Sequence, residues 1–177
     1  MDFTDPDTNV SHLGLQEGNK VAIFGSGAGG HSFAACRALN NSGAIHAIDV
    51  RKDMLDKVNL EARSNNCSII KTVHANIEEE GKTQIRDRAL NAVIIPNTLF
   101  SYEDHVGILK EASRIITPDG KILVVDWKDS FGGMGPQEEN LITEEEAIGF
   151  ATEAGLKVLE RFDAGAQHYG LILGKNI

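Results

Sequence analysis

Apolar residues fall along the chain in two alternating rhythms. Short continuous runs, KVAIF at Lys20–Phe24 and KILVVDW at Lys121–Trp127, read as strands buried on both faces, and AIHAID at Ala44–Asp49 and NAVIIP at Asn91–Pro96 belong with them. Between the runs the apolar positions spread to helical spacing. A helix is predicted over His31–Asn40, where Phe33, Ala34, Cys36, Ala38 and Leu39 precede the stop Asn40-Asn41-Ser42-Gly43. A second is predicted over Arg51–Asn65, with Met54, Leu55, Val58 and Ala62 on one face, and a third over Glu103–Ile116, with Val106, Leu109, Ala112 and Ile116 inward. Ser68–His74 reads as a further strand, and Thr117-Pro118-Asp119-Gly120 as a turn feeding the run at 121. Residues 128–142 read as a loop. Thr143 and Glu146 then have capping-box spacing for a helix to Ala154. Leu156–Phe162 and Tyr169–Leu173 are expected to pair as an antiparallel end.

Strands alternating with helices predict a Rossmann-like α/β chain, with a mostly parallel sheet covered on both faces as a three-layer α/β/α sandwich. At 177 residues the chain is expected to form one domain over 1–177, with 1–19 as a short N-terminal extension. No apolar run exceeds four residues, so no bilayer span is expected, and the polar, acidic start is unlike a secretory signal. The expected location is therefore cytoplasmic. With 17 Lys+Arg against 26 Asp+Glu the net charge is −9, which gives no electrostatic footprint for naked nucleic acid or an anionic membrane. Cys36 and Cys67 match no metal spacing and no disulfide framework, and read as ordinary small hydrophobes. His12, His46, His74 and His105 have no partner spacing for a metal, so none is expected.

The candidate chemistry sits in Gly25-Ser26-Gly27-Ala28-Gly29-Gly30, directly after the first strand and opening the first helix. Glycines there let the chain turn tightly and approach a ligand closely, while free N–H groups at the helix start favour an anionic group. Asp49 ends the second strand, 20 residues beyond Gly29, where an acid accepts hydrogen bonds from ribose hydroxyls. Two cofactor classes suit these residues: a dinucleotide, because Gly25, Gly27 and Gly30 satisfy GxGxxG, and a nucleoside carrying a zwitterionic amino-acid tail.

Taken in order, VAIFGSGAGG, AIHAIDVRKDML, HANIEEE, NAVIIPNTLF, EASRIITPDGKILVVDW and HYGLIL resemble the successive motifs of class I S-adenosylmethionine-dependent methyltransferases. Within them the chain is most similar to the small UbiE/arsenite-methyltransferase-like group. The resemblance spans the whole chain. It implies a seven-stranded sheet in the order 3-2-1-4-5-7-6 with the last strand antiparallel, S-adenosyl-L-methionine as cofactor and S-adenosyl-L-homocysteine as product. It places Gly25, Ser26, Gly27 and Gly29 in the loop beneath the methionine part, Asp49 on the ribose with Val50 beside it, and Met54 against the adenine. Ala75 and Asn76 fall after strand 3 at the adenine amino group, and Pro96, Asn97 and Thr98 after strand 4 near the transferring methyl. Three positions depart from the family pattern: Ile23, Asn76 and Asn91 stand where acids are usual.

Methyl transfer from a sulfonium needs a positioned nucleophile and exclusion of water, and no obligatory base. For a hydroxyl or ammonium acceptor a base is useful, and His31, Asp126, Lys128 and His168 lie near the strand ends, with Asn97 the further catalytic candidate. Neither an Asn-Pro-Pro-Tyr nor an Asp-Pro-Pro-Tyr ending follows strand 4, which favours a small-molecule acceptor over nucleic acid. With no long insertion to form a lid, the acceptor site is expected to be open, or to be completed by a second subunit, as a homodimer or a different partner. The rival readings are an NAD(P)-dependent Rossmann oxidoreductase, which GxGxxG and Asp49 support, and a non-catalytic cofactor-binding partner subunit, which Ile23 motivates.

Overall fold

The computed structural model describes residues 4–130 and 132–177. In chain order the elements are α1 (Pro6–Ser11), β1 (Lys20–Phe24), α2 (Gly30–Ala38), β2 (Ala44–Asp49), α3 (Lys52–Ser64), β3 (Ile70–His74), β4 (Leu90–Pro96), α4 (His105–Ile115), β5 (Ile116–Trp127), α5 (Glu144–Glu153), β6 (Leu156–Asp163) and β7 (His168–Lys175). The strands form one sheet in the order β3-β2-β1-β4-β5-β7-β6. β1 to β5 pair in parallel, and β7 runs antiparallel to both β5 and β6. This is the sheet the resemblance implies.

Alternation along each strand divides the core into two layers. On one face Val21, Ile23, Ile45, Ala47, Ile94, Leu123 and Val125 pack under α1, α2 and α3. On the other Ala22, Phe24, Ile48, Val93, Ile95, Ile122 and Val124 pack under α4 and α5. The middle strands carry apolar residues at nearly every position because both faces are covered.

Local chemistry sets the element ends. α2 stops at Asn40 and Asn41, both left-handed (φ 50° and 53°), a conformation asparagine tolerates. α5 opens on the expected capping box: the Thr143 side chain accepts from Glu146 N, and the Glu146 side chain accepts from Thr143 N at 2.8 Å. Asn91 Oδ1 accepts from Lys20 N at 2.8 Å, tying the starts of β1 and β4 together.

Three expectations are corrected. The 117–120 turn is a bulge inside β5, since pairing steps from Leu90 with Ile116 to Ala92 with Lys121, so four residues loop out without ending the strand. The N-terminal stretch contains a helix: Asp5 caps α1 and accepts from Asp7 N at 3.1 Å, Pro6 takes the first turn where its missing N–H costs nothing, and Val10 and Leu13 are buried. Cys36 and Cys67 are a disulfide, not separate hydrophobes. The end of α2 lies beside the lead into β3, which brings the two Cα atoms to 6.4 Å across 31 residues of sequence. No helix among the described residues is long and apolar enough to cross a membrane.

Candidate cofactor site

A cleft of about 480 Å³ opens at the carboxyl ends of β1, β2 and β4, lined by Gly25, Asp49, Val50, Arg51, Asn97 and Thr98 and closed by Phe100, Ser101 and Tyr102. In the sheet order β1 is the switch point: β2 and β3 continue on one side and β4 on the other, and loops diverge there to leave a crevice.

The glycine turn is shaped by close backbone approach. Gly25 is left-handed (φ +74°), and a Cβ on it would collide with the Thr98 hydroxyl. That hydroxyl is fixed, donating to Phe24 O at 3.0 Å and Pro96 O at 2.8 Å, so the turn and the end of β4 interlock. Gly29 is left-handed at φ +100°, and a Cβ there would meet the Phe33 ring at 2.7 Å. Within the turn the Ser26 hydroxyl is buried with no hydrogen-bond partner. Asn97 also holds a left-handed backbone (φ 49°), and its Oδ1 is buried and unpartnered beside the same cleft. Unpaired buried acceptors and non-glycine residues at positive φ are costly, and they gather where a ligand is meant to meet them.

Asp49 is 3% exposed. Its Oδ2 accepts from Gly27 N at 2.9 Å and its Oδ1 from Arg51 N at 2.9 Å, while the Arg51 guanidinium reaches both oxygens at 3.2 and 3.4 Å. Burial pushes its carboxyl up, but the guanidinium and the two backbone donors outweigh burial and hold it below the usual carboxylate range. The acid is therefore an anion at neutral pH, clamped to the glycine turn. Burial also raises the Tyr102 hydroxyl above its ordinary range, with the charges of Asp49 and Glu78 adding to the rise.

Of the residues expected in the site, Gly25, Asp49, Val50, Asn97 and Thr98 line the cleft, and Gly27 and Ser26 form its turn. Gly29 packs inward on Phe33, Met54 is half-buried on α3, and Pro96 is buried behind Thr98. Ala75 N donates to Asp49 O at 3.3 Å, and Asn76 Oδ1 accepts from Glu78 N at 3.1 Å, so both shape the loop after β3 and neither lines the cleft. Arg51, Phe100, Ser101 and Tyr102 were not singled out from sequence. The run Leu99-Phe100-Ser101-Tyr102, directly after the β4 ending, was the available signal.

The five catalytic candidates are not brought together. Asp126 lies on the α4 side of the sheet, 1% exposed, with Oδ2 accepting from Leu99 N at 3.0 Å and Oδ1 from Trp127 N at 2.8 Å. It anchors the turn that carries Phe100 and Tyr102, and burial pushes its carboxyl up to about 7 against those backbone donors. His31 lies on the other face beneath α1, 7% exposed, where its Nε2 accepts from Asn9 Nδ2 at 3.4 Å. Burial, helped by the nearby His168, pushes its ring down to about 4, so it is neutral. Only Asn97 reaches the cleft. Lys128 pairs with Asp163 at 3.1 Å on the outer edge, and the His168 ring lies tilted by 43° against Trp127 with ring centres 4.2 Å apart. Ile23 is fully buried in the apolar layer under α2, so the departure from an acid there is a matter of packing. Among the described residues no cluster of His, Cys, Asp or Glu could hold a metal ion.

An open α/β sheet with a glycine turn, a clamped acid on the next strand and a crevice at the switch point defines a nucleoside-cofactor-binding domain. The chain belongs to the methyltransferase domain family, whose model matches residues 23–124. It is 22% identical over 120 residues to a demethylmenaquinone methyltransferase of Geobacillus sp. (strain WCH70), a match covering 68% of this chain and 50% of that protein. The chain thus spans about half the length of the curated relatives it matches. Its fold matches a SAM-dependent methyltransferase from Aquifex aeolicus with a TM-score of 0.86, at 21% identity over 97% of this chain and 89% of that one. It also matches geranyl diphosphate C-methyltransferase from Streptomyces coelicolor A3(2), solved with Mg2+, geranyl diphosphate and S-adenosyl-L-homocysteine, with a TM-score of 0.78 at 15% identity over 97% and 79% of the two chains.

The residues present fit S-adenosylmethionine. The turn leaves no room for a Cβ at Gly25, the Ser26 hydroxyl and Asn97 Oδ1 lack partners, and Asp49 is charged and set at the rim. Arg51, 55% exposed, contacts both Asp49 oxygens from the solvent side.

Proposed function

We propose that the protein transfers a methyl group from S-adenosyl-L-methionine to a small-molecule acceptor. The observation that carries this reading is the convergence of the Gly25–Gly27 turn, Asp49 and the strained Asn97 on one cleft. Family membership favours it over a nicotinamide oxidoreductase.

When bound, the cofactor supplies an electrophilic methyl on a sulfonium, whose departure leaves a neutral thioether, so the chain's task is placement. Asp49 receives the ribose hydroxyls, keeping its bond from Gly27 N while Arg51 swings outward. The Ser26 hydroxyl and the backbone of the turn meet the polar amino-acid tail. Asn97 Oδ1 would accept a hydrogen bond from the N–H or O–H of the acceptor and so aim the acceptor's lone pair at the methyl, which is positioning without a base; the acceptor's proton would pass to water once the methyl is transferred. Phe100 and Tyr102 give that side of the cleft an aromatic wall suited to a planar acceptor. The demethylmenaquinone methyltransferase relatives make a quinone-type molecule the first class to test. A second copy of the chain, or a partner subunit, would complete the site over Val50, which is exposed at this rim.

The test is release of S-adenosyl-L-homocysteine from S-adenosyl-L-methionine in the presence of a panel of phenols and reduced quinones. Acceptor-dependent release that falls at least tenfold in Asn97→Ala, with cofactor affinity kept, is the expected result. Cofactor binding with no release from any acceptor in the panel would favour the non-catalytic cofactor-binding reading.

A further inference from the structure

A second cavity, of about 330 Å³, lies between one face of β1, β2 and β3, at Lys20, His46 and Val73, and the segment before β4. Lys20, His46, Val73, Ile85, Arg86 and Leu90 are among its lining residues. It shares no lining residue with the cofactor cleft.

Its charge is unusual for this chain. His46 pairs across β2 and β3 with Lys71 and across β1 and β2 with Ala22, which puts Lys20 one diagonal away on the same face. Three groups able to carry positive charge thus sit on neighbouring strands, an arrangement that repels itself, and Arg86 adds a fourth from the facing segment. Among the described residues no ion pair involves Lys20, Lys71 or Arg86, although the chain has a net charge of −9 and acids to spare. The acid on that segment, Asp87, is engaged by Arg114. Burial, and then the charges of Lys71 and Lys20, hold the His46 ring below its ordinary range.

The facing segment is held rigidly. Gln84 and Arg88 are left-handed at φ 59° and 54°, a strain that non-glycine residues carry at ligand clamps. Glu111, fully buried on α4, accepts from Gly81 N at 3.0 Å, from the Thr83 hydroxyl and from Arg114 Nε at 2.8 Å. Arg88 N donates to Arg114 O at 3.0 Å and Ala89 N to Ile115 O at 2.8 Å. The cavity is therefore preformed, which lowers the cost of ordering on binding. Its floor is apolar (Val73, Ile85, Leu90) and its rim cationic.

We propose that this cavity binds a small organic anion, a phosphate ester or carboxylate carrying a compact apolar group, which sits on the Val73–Ile85–Leu90 floor while its charge meets Lys20, Arg86 and His46, with Lys71 beside His46 adding to the positive field. This site goes beyond the methyl-transfer reading and does not depend on it.

The experiment is an NMR titration of the His46 ring in the full chain with phenyl phosphate and with benzoate, beside inorganic phosphate and phenol. The expected result is a saturable His46 shift with at least one of the two aryl anions, and an upward move of its titration midpoint when that anion is bound. Inorganic phosphate and phenol each bind about tenfold more weakly, and Lys71→Gln with Arg86→Gln weakens the aryl anion about tenfold or more. An unchanged circular dichroism spectrum and urea midpoint in that double variant show that the fold is intact. The proposal is overturned if neither aryl anion shifts His46 saturably, if phenol binds as well as they do, or if the double variant binds them as tightly as the parent.

Discussion

Replacing His31 by Gln tests the reading of that residue as a buried neutral support and not a base. The ring is 7% exposed, and burial moves it from an ordinary 6.5 down to about 4. A histidine whose ring is depressed on folding contributes stability that is fully present above 6.5 and is lost as the pH falls through 4. Two and a half units at 1.36 kcal/mol each come to about 3 kcal/mol, a large part of the 5–15 kcal/mol typical of a domain. Gln keeps an acceptor for Asn9 Nδ2 and does not titrate. Asp126 acts in the opposite sense: its carboxyl is raised to about 7, so its contribution is present below about 4 and is lost as the pH rises through 7. That effect is common to parent and variant and cancels in the difference between them. The assay is urea unfolding of both proteins at pH 8, 6 and 4. The stability difference, parent minus variant, is expected to fall by about 3 kcal/mol between pH 8 and pH 4. Parallel profiles would refute the burial argument, and would return His31 to the list of accessible bases.

Four further outcomes follow from the same geometry. Asp49→Ala removes the charged acceptor at the cleft and is expected to weaken S-adenosyl-L-methionine about 10- to 100-fold by calorimetry, and to cost about 1–3 kcal/mol of stability because Gly27 N and Arg51 N lose their partner. Reducing the Cys36–Cys67 disulfide releases a 31-residue closure and should lower stability by about 3–4 kcal/mol, read from urea unfolding with and without reductant; no difference between the two would show that the pair contributes no constraint. Gly25→Ala drives a Cβ into the hydroxyl that Phe24 and Pro96 hold, at a positive φ, and should cost about 1–3 kcal/mol along with cofactor affinity. Ile23→Asp places a carboxylate in the apolar layer under α2, and circular dichroism should report a protein destabilised by about 4 kcal/mol or more, not a tighter cofactor binder.

Periodicity was enough for the central strands because β1, β4 and β5 are covered on both faces and their runs are nearly all apolar. The capping box of α5 and the asparagine stop of α2 were legible because each is local chemistry. α1 escaped because six residues give too few turns for a period to register, although Asp5-Pro6 carried a start signal. The disulfide was invisible for the opposite reason: its partners meet only once α2 and β3 are laid against the sheet. In the site, Gly25 and Asp49 could be placed by residue type and position after a strand, and Asn97 by the family resemblance. The true roles of Asp126 and His31 depend on which face of the sheet each side chain occupies and on what covers it there, the turn after β4 in one case and α1 in the other. Arg51 looked like an ordinary helix start, and its hold on Asp49 appears only in three dimensions.

The most direct test of the central claim is calorimetric titration of the purified protein with S-adenosyl-L-methionine and S-adenosyl-L-homocysteine, with NAD and NADP run in parallel, after confirming that no cofactor co-purifies. Saturable one-to-one binding of the two adenosyl ligands, lost together in Asp49→Ala, and no heat from the dinucleotides, is the predicted result. Binding of a dinucleotide alone, or adenosyl-ligand binding that survives Asp49→Ala undiminished, would contradict it.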